Sequence, residues 1–308
     1  AIKELSYGKP IQYILGSCCF FGQDIFVGEG VFIPRSDTEL LVETALKILQ
    51  PGDLFADLCS GSGCISRAIG ANLTDCKGYA LELSRKALPY TIRNLDPISK
   101  TTSLQEINLM HNAVTGLESL GGLYNLESLN IAYNAVTDLA PLSGCSKLTR
   151  LDASNNQIPK IEGIGSLKLL SYLSLDFNQL TNITALSGCA ELTELHVANN
   201  QLTDISVVAT LLNLDIFDFA YNQVAALPDW ADGCVLRTID GSHNLLESID
   251  NLKQLEQISY IYMDYNAITN IDALADCYHL VQINVFGNSI SEVGALTEHN
   301  IIVNYNPA

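Results

Sequence analysis

The sequence predicts an α/β chain in two parts: a small, partial doubly wound βα unit over residues 1–100, then a right-handed solenoid over 101–308 whose short parallel strands form a horseshoe sheet. Three observations predict it. Asparagine recurs every 22 residues at 112, 134, 156, 178, 200, 222, 244, 266 and 288, and a shorter terminal coil follows. An apolar frame of fixed spacing precedes each asparagine, as in Leu126, Leu129, Ile131 and Leu170, Leu173, Leu175. The charge also changes at the join: residues 1–100 carry ten Lys/Arg against eleven Asp/Glu, and the remainder carries six against 23. Self-similarity at a fixed period is the mark of a stacked-repeat architecture.

In the first part, GKPIQYILG (8–16) leads into CFFGQDIFVGEGVFIP (19–34), whose two alternating apolar runs split by a glycine-containing turn predict a β-hairpin. SDTELLVETALKIL (36–49) predicts a helix with Ser36 as N-cap and Glu39 completing a capping box. DLFADLCSGSGCISRAIG (53–70) reads as strand, glycine turn and helix, and KGYALELSRKALPYTIRNL (77–95) as strand and helix. A strand ending in an acid, followed by a GSG turn that opens a helix, suits a nucleotide-like ligand. Gly61 and Gly63 let the backbone approach closely, and Glu82 after the next strand can accept ribose hydroxyls.

PIQYILG, FFG, IPRSDTE and DLCSGSGCI occur in that order, and with them residues 1–95 resemble the release-factor glutamine methyltransferases, which transfer a methyl group from S-adenosylmethionine to a glutamine amide. The resemblance implies a Rossmann-like, class I methyltransferase unit with S-adenosylmethionine as cofactor, Asp57, Gly61 and Gly63 lining its pocket and Glu82 holding its ribose. It then stops. The family's Asn-Pro-Pro-Tyr segment is not found, since Asn306-Pro307 ends a repeat coil. Its further strands and its leading helical domain are also missing, which would put Ala1 inside the last helix of that domain. The unit is expected to be truncated, to carry an unpaired sheet edge and to be inactive as a transferase by itself. Three accounts of the join at Asp96–Ser103 stay open. The unit caps the first coil by pairing with the strand near Leu104; two genes are fused or misassembled; or the repeats interrupt a methyltransferase that resumes beyond Ala308.

In the second part, LxxLxL alternation makes a short strand with its apolar side chains on one face. The asparagine turns the chain, and its amide can bond backbone groups of adjacent coils that would otherwise be buried unpaired. A second aliphatic set (Leu139 and Leu142, Ile183 and Leu186, Ile271 and Leu274) closes the other side of each coil. This frame resembles the leucine-rich repeats of the bacterial internalin and phosphatase-regulator type over residues 104–306. The resemblance implies a parallel sheet on a concave surface and 3₁₀ or extended limbs on the convex side. Ala153 and Gly241 replace a large aliphatic, and each predicts a gap costing roughly 2–5 kcal/mol relative to leucine unless neighbours fill it.

Strand residues between the buried columns are expected to face a partner. Asp152, Asp176, Asp218, Asp240 and Asp264 form an acidic track, His196 is the one histidine on it, and Tyr172, Tyr260, Tyr262 and Phe286 supply aromatic anchors. The expected function is binding of a protein or peptide, basic and extended, on the concave face. The alternative function is methyl transfer by the first unit. Acidic repeats repel phosphate backbones, which argues against nucleic acid, although the same charge also serves solubility.

Nine cysteines show no metal-ligand spacing, and no catalytic constellation marks the repeats. Cys145, Cys189, Cys234 and Cys277 recur at one depth of successive coils, as small buried apolar residues do. Free thiols point to a reducing, cytoplasmic compartment. No apolar run is long enough to span a bilayer.

Overall fold

The computed structural model describes residues 5, 7–58, 60–73, 76–82, 84, 86–99, 105–298 and 301–306. Ala1, Cys59, residues 100–103 of the join, Leu104 and Pro307 therefore lie outside the described residues. Two compact units emerge: residues 1–136 with 144–148, and residues 137–143 with 149–308.

In the first unit, helix α1 (Ile11–Leu15) stops at Gly16, whose left-handed backbone (φ 79°) donates its N–H to the Gln12 carbonyl. Strands β1 (Ser17–Phe20) and β2 (Gln23–Phe26) then pair antiparallel, Phe20 opposite Gln23. The two turn residues, Phe21 (φ 49°) and Gly22 (φ 70°), both take positive φ, as a two-residue hairpin loop of matching twist requires. The second strand ends at Phe26, earlier than its apolar run. There the buried Asn94 side chain takes over the pairing: its Oδ1 accepts from Phe26 N–H (2.7 Å), and its Nδ2 donates to the carbonyls of Phe26 and Ser62.

Helix α2 (Ser36–Ile48) forms where expected, with a different start. Arg35 occupies the cap position and no side chain caps the helix. Glu39 instead accepts the N–H of the hairpin residue Phe21 at 2.6 Å, so the predicted capping box is replaced by a long-range bond that fixes the hairpin on the helix. Strand β3 (Leu54–Leu58), helix α3 (Cys64–Asn72), strand β4 (Lys77–Leu81) and helix α4 (Leu88–Ser99) complete the βαβα order, with β3 and β4 parallel. Phe20, Ile25, Val27, Val42, Ala68 and Ile69 form the core that joins hairpin and helices.

Strands β5 (Glu106–Asn108) and β6 (Ser128–Asn130), a parallel pair, belong to the same unit. Gly78 and Ala80 of β4 and Ile92 and Leu95 of α4 share a narrow apolar cavity with Ile107, Leu109, Leu120 and Leu123 of the first coil. No ladder joins β4 to β5 among the described residues. Side chains of the βα unit and of the first coil thus meet in this cavity, and the strand pairing near Leu104 that one account of the join required falls on residues outside the described ones.

The second unit stacks β7 (Arg150–Asp152), β8 (Tyr172–Ser174), β9 (Glu194–His196), β10 (Ile216–Asp218), β11 (Thr238–Asp240), β12 (Tyr260–Tyr262), β13 (Gln282–Asn284) and β14 (Ile302–Asn304) as parallel neighbours in chain order. Register advances one repeat per strand, Tyr172 facing Glu194 and Thr238 facing Tyr260, until the shorter last step sets Gln282 opposite Ile302. Asn306 closes that last coil by accepting the Gly287 N–H at 2.7 Å. Short 3₁₀ helices such as Thr184–Gly188 and Asp272–Asp276 form the opposite limb, after which a four-residue helix α5 (Gly294–Thr297) precedes β14.

The asparagine ladder is the structural rule of the stack. Asn200 donates from Nδ2 to the carbonyls of Leu175, Val197 and Ala198 and accepts from Leu180 N–H through Oδ1. Asn178, Asn222 and Asn244 repeat the pattern and are, like Asn200, buried. Each amide satisfies groups of adjacent coils that stacking removes from water, which is why no other side chain holds that position. The recurrent cysteines are buried, as their spacing predicts, and the Cys189 thiol donates to the Ile164 carbonyl. The gap expected at Gly241 does not exist. A Cβ there would lie 2.3 Å from Phe219 Cζ and 2.9 Å from Met263 Sδ, so adjacent coils already fill the space.

Candidate functional site

The strand residues of the solenoid meet one shared demand: the amide two positions before each repeat asparagine needs an acceptor. Where the residue four before the asparagine is Asn or Asp, its side chain usually supplies it. Asn108 accepts from Met110 N–H, Asn130 from Ala132, Asp152 from Ser154, Asp218 from Ala220 and Asp240 from Ser242, all at 2.9–3.1 Å. In the β9 coil that place is held by His196, and Asp176 of the preceding coil accepts from Ala198 N–H instead (2.7 Å). Asp264 likewise reaches forward to Phe286 N–H (2.6 Å). All five predicted track residues are therefore half-buried acceptors of backbone N–H groups. Each still carries a second carboxylate oxygen.

His196 sits among these acids. Its Nε2 lies 2.8 Å from Glu194 Oε1 and its Nδ1 3.8 Å from Asp218 Oδ2. Asp218 and Glu194 raise its pKa to about 9, against the opposing cost of burial. His196 is thus a fixed cation at neutral pH that offsets part of the acidic track. Burial pushes the Asp176 carboxyl up to about 6; Asp218 adds to the rise, and the Ala198 bond and His196 oppose it. Burial also raises Asp240, against the hydrogen bonds from Ser242.

The predicted aromatic anchors differ in availability. The Arg150 guanidinium covers the Tyr172 ring at 3.4 Å from its centroid, and Tyr172 also stands beside His196 (5.8 Å between ring centroids). Tyr262 is half-buried, whereas Tyr260 and Phe286 are exposed.

Sequence reasoning missed a further column. The residue just before each repeat asparagine is left-handed in coil after coil: His111, Tyr133, Asn155, Phe177, Asn199, Tyr221, His243 and Tyr265 have φ of 53–56°. Bulky residues rarely adopt this conformation. It is held here by the ladder, as Tyr221 N–H donates to Ser242 O, His243 to Asp264 O and Tyr265 to Phe286 O. The side chains stack outside. The Tyr221 and His243 centroids are 4.0 Å apart and those of His243 and Tyr265 4.4 Å apart, with Tyr221 and Tyr265 exposed. The signal available in the sequence was the aromatic, His or Asn residue that precedes eight successive repeat asparagines.

In the first unit, the glycine turn brings Asp57, Gly61, Gly63 and Glu82 together. Gly61 (φ 60°) and Gly63 (φ 74°) take the left-handed backbone that the tight turn requires. Asp57 accepts from Ser66 Oγ (2.9 Å) and N–H (3.3 Å), and burial raises its pKa despite those bonds. Glu82 accepts the Gly61 N–H through Oε2 (2.5 Å) and the Ser84 N–H through Oε1 (2.6 Å). Thr91 donates to the Gly61 carbonyl at 2.6 Å. The turn is tight, and both acids are buried and already engaged, Asp57 by Ser66 of α3 and Glu82 by Gly61 of the turn and by Ser84. An open cavity of about 400 Å³ beside Gly61, lined by Phe32, Pro34, Arg35, Thr38 and Ser62, includes neither acid. The arrangement as it stands does not fit a ribose held by Glu82. No group of His, Cys, Asp and Glu among the described residues could hold a metal ion.

Parallel three-residue strands, an amide ladder and 3₁₀ return limbs define a leucine-rich-repeat solenoid. Residues 92–144 and 146–188 match the family described as "Leucine Rich repeats (2 copies)", and residues 188–209 match "Leucine Rich repeat". Among solved structures, an internalin of Listeria monocytogenes superposes with a TM-score of 0.70 at 19% identity, covering 89% of this chain and 82% of that one. Internalin C2 of the same organism gives a TM-score of 0.51 at 27% identity over 68% of this chain and 84% of that one. A release factor glutamine methyltransferase of Thermodesulfovibrio yellowstonii is 44% identical over 90 residues, 28% of this chain and 32% of the relative. The chain spans about a third of the length of that curated relative. No described helix is long and apolar enough to cross a membrane.

Proposed function

We propose that this chain is a protein-binding module that takes an extended, basic segment of a partner protein along the strand face of its repeats. The observation that carries this reading is the contrast between columns. Buried positions stay apolar in coil after coil, while Asp218, Asp240, Tyr260, Asp264 and Phe286 vary in register beside the stacked Tyr221, His243 and Tyr265. Aromatic and acidic side chains at one spacing suit Lys and Arg side chains, whose stems pack on rings while their charges meet carboxylates. The excess of 23 acids over six basic residues in the repeats favours such a partner over nucleic acid. The thiols of Cys145, Cys189, Cys234 and Cys277, buried in the coils without a disulfide, favour a reducing, cytoplasmic setting.

The test is fluorescence anisotropy with labelled Lys/Arg-rich peptides against Asp218→Asn with Asp240→Asn. Asparagine keeps the backbone acceptor, as Asn108 and Asn130 do, and removes only the charge. Binding weakened about tenfold or more, with cooperative unfolding retained, supports the reading; equal binding by the variant, or none by the parent, rejects it.

A second reading, S-adenosylmethionine-dependent methyl transfer to a release-factor glutamine, is favoured by the 44% identity over 90 residues to a release factor glutamine methyltransferase. Asp57, Gly61, Gly63 and Glu82 would hold the cofactor, Glu82 after releasing Gly61. Calorimetric titration with S-adenosylmethionine decides it: micromolar binding lost in Gly61→Val supports this reading, and no binding removes it.

A further inference from the structure

Two sets of strand-face side chains, four coils apart, share one construction. In the first, Arg150 and Asp152 of β7 stand beside Tyr172 of β8, and Asp176 follows in the same coil. In the second, Thr238 and Asp240 of β11 stand beside Tyr260 of β12, and Asp264 follows. The register is the same, Arg150 opposite Tyr172 and Thr238 opposite Tyr260. The hydrogen bonds repeat as well. Asp152 accepts from Ser154 N–H as Asp240 does from Ser242, and Asp176 reaches forward to Ala198 N–H as Asp264 does to Phe286. Each tyrosine thus stands between two carboxylates that the backbone fixes through Oδ1.

One position separates the two sets. In the first, the chain supplies its own cation. The Arg150 guanidinium lies over the Tyr172 ring, 3.4 Å from its centroid, and Arg150, Asp152 and Asp176 all act on the Tyr172 hydroxyl. In the second, threonine stands at the equivalent position and Tyr260 is exposed. Among the described residues no Lys, Arg or His forms an ion pair with Asp240 or Asp264. His196, which offsets acids near the first set, has Asn284 as its counterpart, and Ala198 has the exposed Phe286.

We infer that Asp240, Tyr260 and Asp264 take one arginine side chain of the bound segment, its guanidinium lying on the Tyr260 ring as that of Arg150 lies on Tyr172. The inference rests on the strand-face reading given above and adds to it a place and a preference. A guanidinium suits this set better than an ammonium does. It is flat enough to stack on the ring, and its forked donors reach two carboxylates at once. The Phe286 ring offers an apolar wall to the methylene stem.

The experiment reads fluorescence anisotropy of labelled hexa-arginine and hexalysine on the full chain, the parent against Tyr260→Ala and Thr238→Arg. Thr238→Arg gives the second set the arginine of the first, and the exposed Arg150 shows that the coil accepts one there. Tyr260→Ala removes an exposed ring, and cooperative thermal unfolding establishes that each variant folds. The expected result is that the parent binds hexa-arginine about tenfold more tightly than hexalysine, and that this preference falls to about twofold or less in both variants. Because the two peptides carry equal charge, their ratio cancels the charge that Thr238→Arg adds. A parent without preference, or a preference kept by either folded variant, overturns the arginine site and leaves the basic-segment reading standing. Binding of neither peptide by the parent overturns both.

Discussion

Asp176 and Ala198 belong to different coils, yet the Asp176 carboxylate accepts the Ala198 N–H at 2.7 Å. The bond stands where the neighbouring His196 leaves that amide without an acceptor from its own coil. One side chain thus serves as a surface charge and as a backbone partner, and the four predictions below separate such roles.

Burial raises the Asp176 carboxyl to about 6, so its ionised form is disfavoured in the folded state. The folded chain then holds a proton that the unfolded chain releases near 4, and stability falls as pH rises between about 4 and 6. Asp176→Asn should remove that part of the slope and stabilise the chain at pH 7 by about 1 kcal/mol after allowance for solvent screening. Urea midpoints of parent and variant from pH 4 to pH 7 check it; parallel curves reject it.

His196 behaves in the same direction over a higher window. Its pKa is raised to about 9, chiefly by Asp218 and Glu194. The stabilisation it provides is complete below about 6.5 and is lost as pH rises through 9. Denaturant midpoints at pH 6, 7.5 and 9.5 should fall for the parent, while His196→Gln lacks that decline. An NMR titration placing the imidazole pKa near 6.5 would contradict the geometry.

Asn200→Ala should cost about 3 kcal/mol, because it strands the buried Leu180 N–H and three carbonyls that have lost water. Asn200→Asp keeps the acceptor and loses the donors, so it should also destabilise. Urea unfolding measures both, and a loss below about 0.5 kcal/mol for the alanine variant would deny the ladder its energetic role.

Gly241→Ala should lower stability by about 1–3 kcal/mol, since the added methyl meets Phe219 and Met263. A cavity at that coil would give the opposite sign. Thermal melts distinguish the two outcomes, and a gain would restore the gap that the repeat frame suggests.

The repeat itself was legible because its period is enforced by packing: a coil with a polar residue at Leu173 or Leu195 could not stack, so composition and position coincide. The βα order of the first unit was legible for similar reasons, through Gly61, Gly63 and the alternating runs. Glu39 was misread as a local cap because its partner, Phe21, is 18 residues away. The acids of the track lie on the strands or just after them, and their bonds to Ser154, Ala198, Ala220, Ser242 and Phe286 were not foreseen.

The sequence by itself determined that nine asparagines recur at one interval and that the chain changes character near residue 100, since both are properties of order along the chain. Tertiary structure alone decided that Tyr221, His243 and Tyr265 stack in left-handed backbone, that Glu82 closes on Gly61, and that β3 pairs only with β4 among the described residues. Each of these depends on groups 20 or more residues apart meeting in space, or on a neighbour failing to arrive. Such meetings are set by stacking and closure, which spacing along the chain does not encode.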